Sequence, residues 1–221
     1  MTEQSATDRF AQRTLELLTA AGAILENDHF VYVSGDHGSG WINKDAIFPR
    51  VDNLATLCGW LAEITRDLQP EFICGPATGG LLVSTWTAHS LGAESVYAEH
   101  SPQILAGELR GRFCLRPEFR RLIAGRRVLV VDDIVNTGHS TRQTVKAARD
   151  AGATIVAAAA LVSRGNVVAA DMGVDEFRFL LEYRIPSTPA ATCPLCRTGV
   201  PVNTDCAHGR EFIAAERAVG E

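Results

Sequence analysis

Two adjacent carboxylates, Asp132 and Asp133, stand between an apolar run and a loop of small, hydroxyl-bearing residues. Residues 128–131 are Val-Leu-Val-Val, which predicts a buried strand ending at the carboxylates. The loop holds Asn136, Thr137, Gly138, His139, Ser140 and Thr141, and an amphipathic stretch from about 141 to 151 follows, with Val145 and Ala148 on one face. This order of strand, acidic turn, small-residue loop and helix suits a sugar phosphate. Backbone N–H groups at a helix N-terminus bind phosphate, and small residues let it approach. The hydroxyls of Thr137, Ser140 and Thr141 add donors. The carboxylates would repel phosphate; they suit vicinal ribose hydroxyls, which donate hydrogen bonds, or a hydrated Mg²⁺ nearby. The loop lacks the Gly-Lys-Ser/Thr ending of a nucleotide P-loop, so ribose 5-phosphate is favoured over a nucleoside triphosphate.

A second loop of the same kind, Gly75-Pro76-Ala77-Thr78-Gly79-Gly80, follows the short apolar run at 72–74. By itself it is weak evidence, since glycine turns are common. Two phosphate-type loops at neighbouring strand ends suit a ligand with phosphates at both ends.

The elements that must position these loops follow from periodicity. Residues 9–20 carry Phe10, Thr14, Leu17 and Leu18 on one face and predict a helix that Gly22 ends. A short strand at 30–33 leads to a flexible turn over 34–40, and 41–48 continues extended. Asp52 has the chemistry of a helix cap, and Leu54, Leu57, Leu61, Ile64 and Leu68 are spaced for a helix that Pro70 stops. Strands are predicted at 72–74, 95–98, 128–131, 154–162 and 177–183. Helices are predicted after residue 80 to about 90, at 141–151, and briefly at 167–171. Strands alternating with helices give an α/β fold, a parallel sheet with helices on both faces, and ligands then bind beyond the C-terminal strand ends.

Bulk properties narrow the class. The 221 residues are 46 % hydrophobic and 21 % charged, ordinary for a soluble domain with a small appendage. Net charge is −5, which argues against a nucleic-acid binder. The longest apolar run, residues 155–162, is too short to span a membrane, and no signal peptide is visible, so a cytoplasmic location is expected. Only two of the 21 basic residues are lysines, Lys44 and Lys146. Seven arginines fall between Arg110 and Arg127; they are read as part of a mobile, phosphate-attracting loop rather than a solvated face or an RNA-binding patch. Cys58, Cys74 and Cys114 lie in apolar contexts and read as small core residues.

Residues 128–141 resemble the phosphoribosyl-diphosphate (PRPP) binding signature of type I phosphoribosyltransferases, and 75–80 resemble that family's pyrophosphate loop. The resemblance places a cis peptide at Ala77-Thr78. Gly22-Ala23-Ile24-Leu25, Phe30, Ser34-Gly35 and Trp41-Ile42-Asn43-Lys44-Asp45 are similar to the N-terminal hood of orotate phosphoribosyltransferases. Glu182, Cys193-Pro194-Leu195-Cys196 and Gly199-Val200-Pro201 resemble a tail of some bacterial and archaeal members. The implied organisation is a hood segment at 1–50, a PRPP-binding core at 51–185 and a cysteine-containing tail at 186–221, the N- and C-terminal segments together forming the small hood. The implied reaction transfers ribose 5-phosphate from PRPP, with Mg²⁺, to orotate. The family assigns Asp132 and Asp133 to the ribose hydroxyls. It assigns Asn136, Thr137, Gly138, His139, Ser140 and Thr141 to the 5-phosphate and base side, and Ala77, Thr78, Gly79 and Gly80 to pyrophosphate. Lys44 is assigned to substrate, and Arg164 to the base carboxylate. The implied assembly is a homodimer whose 99–112 loop reaches the neighbour's site.

Three positions depart from the family pattern. The 99–112 loop has none of the usual lysines and offers Glu99, His100, Arg110 and Arg112 instead; arginine can stabilise pyrophosphate as well. Val33 replaces a common hood lysine, and Asn136 stands where threonine is usual. Rival readings are a phosphoribosyltransferase for another base, such as a purine, and a PRPP-sensing regulator. The Cys193-x-x-Cys196 pair resembles a zinc knuckle that Cys206 and His208 can complete, the alternative being unliganded thiols. His29, His37, His89 and His139 show no partner pattern for a metal.

Overall fold

The computed structural model describes residues 3–100, 112–165 and 167–219. They divide into two compact units: residues 48–183 with the N-terminal helix as far as Leu17, and residues 18–47 with 184 onward.

In the first unit, helix α1 spans Glu3–Ala20 and continues into the second unit at its end. Helix α2 is Val51–Thr65, with Leu54, Leu57, Cys58, Leu61 and Ala62 buried at spacings of three and four. Its cap is Arg50, and Asp52 lies in the first turn, where a carboxylate favours the positive end of the helix dipole. The expected cap at Asp52 is therefore corrected. The helix ends before Pro70, in a 3₁₀ turn at Arg66–Leu68. Strand β3 (Phe72–Pro76) leads to α3 (Gly79–Leu91) and β4 (Glu94–His100). A two-residue strand β5 (Phe113–Cys114) and α4 (Pro117–Ile123) precede β6 (Arg127–Val135), α5 (His139–Asp150) and β7 (Thr154–Ser163). A single-turn α6 (Ala169–Met172) and β8 (Phe177–Glu182) complete the unit.

The sheet order is β5-β4-β3-β6-β7-β8, with all neighbours parallel except the antiparallel β4–β5 edge. Alternation of side chains divides the core. Phe72, Cys74, Val128, Val130, Ala158 and Ala160 face Val145 and Ala148 of α5 in one cluster. Ile73, Leu129, Val131, Ala159 and Leu161 are equally buried and point to the other face. The connection β3-α3-β4 runs one way from the sheet centre and β6-α5-β7 the other. The strand order therefore reverses between β3 and β6.

In the second unit, β1 (Ile24–Val31) and β2 (Asp36–Ile42) form an antiparallel hairpin, with β9 (Thr188–Pro189) paired to β2. Where the sequence predicts a flexible turn over 34–40, only residues 32–35 turn, and His37 is buried in β2. The glycines are what suggest the longer turn. A Cβ at Gly38 would lie 2.2 Å from the Tyr32 hydroxyl and 2.7 Å from the Pro186 carbonyl oxygen, so that glycine allows close packing. Helices α7 (Pro194–Arg197) and α8 (Gly209–Val219) follow, with a 3₁₀ turn at Ala190–Thr192 before them. Among the described residues, no helix is long and apolar enough to cross a membrane.

Candidate active site

The C-terminal ends of β3 and β6 are neighbours at the point where the strand order reverses, where an open α/β sheet leaves a crevice. Both small-residue loops start there. The sequence predicts a strand ending at the carboxylates, but β6 runs on to Val135, so Asp132 and Asp133 lie within it, almost fully buried at 7 % and 5 % exposure. The Asp133 backbone N–H donates to Asp132 Oδ1 at 2.9 Å, and the Ile134 N–H donates to Asp133 Oδ1 at 2.7 Å. The Thr141 hydroxyl donates to Asp132 Oδ2 at 3.2 Å. Thr141 therefore orients the carboxylate, a role not evident from its place in the loop. Burial, and next the charge of Asp133, push the Asp132 carboxyl well above the ordinary carboxylate range.

Asp132, Ile134, Val135 and residues 136–141 line a cavity of about 110 Å³. Asn136, Thr137 and His139 are exposed on its rim. Helix α5 begins at His139, and its first backbone bond runs from the Arg142 N–H to the Gly138 carbonyl. The earlier N–H groups lie before the first intrahelical acceptor, the arrangement that attracts anions. Gly138 makes this turn possible. Its φ is +70°, and a Cβ there would meet Met172 Cγ at 2.7 Å and Val167 Cγ2 at 3.0 Å.

After β3, the Ala77-Thr78 peptide is cis, as the family resemblance implies. The Ala77 N–H is tied to the Ala98 carbonyl of β4 at 2.7 Å. A Cβ on Gly79 would come within 2.0 Å of Asp133 Oδ2, and one on Gly80 within 2.5 Å of Pro76 Cδ. The end of the β3 loop, where α3 begins at Gly79, thus approaches β6 at Asp133, and only a residue without a side chain allows it. Phe48, which the sequence reading did not single out, lies beside the same glycine.

Arg164, one residue beyond β7, is 8 % exposed, and its N–H donates to the Val135 carbonyl at 2.9 Å. This holds it beside the start of the 136–141 loop. His100 ends β4, pairs with Phe113 and stacks 4.2 Å from its ring, two residues past the strand position that holds Ala77. Arg112 is exposed, whereas Arg110 lies outside the described residues. Lys44 is exposed in a 3₁₀ turn of the second unit.

Much of the arginine-rich segment is committed to structure, which corrects its reading as one phosphate-attracting loop. Arg116 holds Glu99 with bonds of 2.8 and 2.9 Å, which lowers the Glu99 pKa. Arg126 pairs with Glu71 at 2.7 Å, and Arg127 donates to the Leu68 and Gln69 carbonyls.

The expected zinc ligands separate. Cys193 and Cys196 do not meet Cys206 and His208; among the described residues they cluster with His29 and His37. The physical reason is that 203–208 runs along β1. The Asn203 N–H donates to the His29 carbonyl, and the His208 N–H to that of Val31. Cys206 turns to Asn203 Oδ1 at 3.5 Å, and burial, then Asp28 and Asp205, raise its thiol pKa, which disfavours a ligating thiolate. The omission of His29 and His37 follows from the misread hairpin. Val31 faces His37 across the strand pair, and His29 lies two residues along on the same side.

The comparisons with known proteins agree with this geometry. The family profile of the phosphoribosyl transferase domain matches residues 45–178. The chain belongs to the type I phosphoribosyltransferase family. Within the family it is similar to the orotate phosphoribosyltransferase of Thermus thermophilus, 35 % identical over 188 residues, covering 85 % of this chain and 97 % of that one. The Brucella ovis orotate phosphoribosyltransferase is 38 % identical over 190 residues, with 85 % and 92 % covered. The crystal structure of the Aeropyrum pernix orotate phosphoribosyltransferase superposes with a TM-score of 0.62 at 25 % identity, covering 76 % of this chain and 92 % of that one.

Proposed function

We propose that this protein transfers ribose 5-phosphate from PRPP to orotate, forming orotidine 5′-phosphate and pyrophosphate. The observation that carries the reading is the close approach of Gly79, at the end of the β3 loop, to the Asp133 carboxylate of β6, at the reversal of strand order. The choice of orotate rests on the relatives named for it, which match most of their own length.

In this reading the 5-phosphate occupies the cavity lined by 136–141, against the start of α5. Asp132 and Asp133 accept hydrogen bonds from the ribose hydroxyls, and Thr141 holds Asp132 in place. Residues 77–80 receive the pyrophosphate through backbone N–H groups. The bond from ribose C1 to the pyrophosphate oxygen breaks as one from C1 to a ring nitrogen forms, through a state with oxocarbenium character. No nucleophilic side chain is required; alignment and charge stabilisation carry the rate. Arg112, at one end of the 101–111 segment, and Arg110 within it supply positive charge toward the leaving group, and His100, at the other end, offers a ring N–H. Arg164 recognises the orotate carboxylate with its planar fork, and Asn136 lies on the base side.

The site suits Mg²⁺. Two buried carboxylates side by side are hard oxygen donors, and their mutual repulsion is relieved by a dication. Asp132 and Asp133 would hold it together with PRPP, and it would add positive charge against the departing pyrophosphate. The proposal includes a homodimer, with the 99–112 segment reaching the neighbour's site, and a cytoplasmic location.

The test is a panel of orotate, uracil, adenine and hypoxanthine with PRPP and Mg²⁺, following pyrophosphate release. Turnover with orotate alone is expected. Turnover of a purine or uracil with none of orotate overturns the acceptor and leaves the PRPP half standing.

A further inference from the structure

The second unit gathers four side chains that the transfer reaction does not use. We infer that His29, His37, Cys193 and Cys196 form a tetrahedral zinc site that fastens the C-terminal segment to the β1–β2 hairpin.

The four offer one ligand atom each, all within 4.8 Å of one another. Zinc–nitrogen bonds of about 2.0–2.1 Å and zinc–sulfur bonds of about 2.3 Å make tetrahedral edges of about 3.3 Å for N–N, 3.6 Å for N–S and 3.8 Å for S–S. Here Cys193 Sγ and Cys196 Sγ lie 3.6 and 3.7 Å from His29 Nε2, and Cys196 Sγ lies 3.3 Å from His37 Nδ1. These N–S edges are already close to metal-bound values. The two ring nitrogens, 2.8 Å apart, need to open by about half an ångström to reach the N–N edge.

The tautomer of His29 is set by its other nitrogen. Nδ1 lies 2.8 Å from the Val200 carbonyl, which can only accept, so Nδ1 carries the proton and Nε2 presents its lone pair to the cluster. A carbonyl fixing the far nitrogen is the usual outer support of a metal-ligating histidine. Cys193 and Cys196 flank the start of α7 with the spacing of a knuckle. His29, His37 and Cys193 are each at most 1 % exposed.

Two thiolates with two imidazoles in a tetrahedron select zinc among the common divalent ions. Four protein ligands leave no position for water or substrate, so the site is structural. It joins segments 164 residues apart in sequence, a closure that greatly restricts the unfolded chain.

The experiment uses the full chain, purified without added metal and dialysed under reducing conditions. Elemental analysis should find about one zinc per chain. Replacing the zinc by Co²⁺ should give visible bands of a tetrahedral ion and near-ultraviolet thiolate charge transfer. Cys206→Ser and His208→Ala should keep the zinc and the spectrum. Cys196→Ser, at the exposed corner, should lose most of the zinc and the charge-transfer band while circular dichroism stays unchanged. Should Cys196→Ser fail to fold, the wild-type zinc content and Co²⁺ spectrum decide. Wild-type protein with no zinc and only a pale octahedral Co²⁺ spectrum would overturn the site. So would loss of metal from Cys206→Ser or His208→Ala, or a Cys193–Cys196 disulfide in the freshly purified chain.

Discussion

Asp132 carries a cost that its proposed role in binding ribose explains. Burial and the neighbouring Asp133 raise its folded pKa above the unfolded value of about 3.9. A raised carboxyl favours folding below the unfolded pKa, and that contribution is lost as pH rises through the folded one. At neutral pH the buried carboxyl therefore opposes folding, relative to acid pH. Asp132→Asn keeps the shape and can still accept from the Asp133 N–H. The ligand-free variant should gain roughly 0.5–2 kcal/mol at neutral pH, with a flatter dependence of Tm on pH, while turnover is abolished. A variant that melts below wild type at pH 7 would remove the buried-charge argument. Arg164, 8 % exposed, is proposed to meet the substrate carboxylate. Arg164→Ala should weaken orotate by about 2–5 kcal/mol with PRPP binding nearly unchanged. Arg164→Lys should rescue only in part, because a point charge lacks the fork. Unaltered orotate kinetics in the alanine variant would move base recognition elsewhere.

The turn from β6 into α5 depends on one glycine with two demands on it. Gly92, at the C-terminus of α3, also has a positive φ, but a Cβ there would meet nothing within 4 Å. Gly92→Ala should therefore cost only the left-handed backbone penalty, about 1–2 kcal/mol. Gly138→Ala bears the same penalty and must also displace Met172 and Val167. Denaturant melts should show the larger loss at Gly138, and calorimetry should show weaker PRPP binding there alone. Equal losses at both positions would mean that α6 yields freely and that the loop is not held by this packing. The register of β3 against β6 matters in the same way. Phe72 pairs with Val128 and Cys74 with Val130, a register that, continued, sets Pro76 at the end of β3 level with Asp132 of β6.

For the molecule as a whole, the homodimer makes a distinct prediction. If the 99–112 segment acts in the neighbour's site, subunits carrying Asp132→Asn with Asp133→Asn should complement subunits carrying Arg110→Ala with Arg112→Ala. A mixed dimer would hold one intact site, so activity should return on mixing two dead preparations. Heterodimers seen by native mass spectrometry but without activity would place each site within a single chain. The committed arginines, Arg116, Arg126 and Arg127, serve as controls. Replacing them should change stability and leave complementation unaffected.

The α/β class and the strand-loop-helix units were legible because each rests on local chemistry. Four β-branched or apolar residues before Asp132, and small residues after it, have one economical arrangement whatever surrounds them. The order of strands in the sheet was not legible, and it is the order that brings Gly79 to Asp133. The glycines of 34–40 look like a turn in sequence; Gly35 does turn, but Gly38 sits in β2 packed against Tyr32 and Pro186, and Gly40 in the same strand packs against Ile185. That misreading concealed His37, and with it the partner of His29. The same limit separated Cys206 and His208 from the cysteine pair, since spacing along the chain cannot show which strand edge a tail follows. Local side-chain chemistry determined which strands, loops and helices form; long-range backbone pairing decided which residues meet, because hydrogen bonds between distant strands leave no periodic trace in either partner.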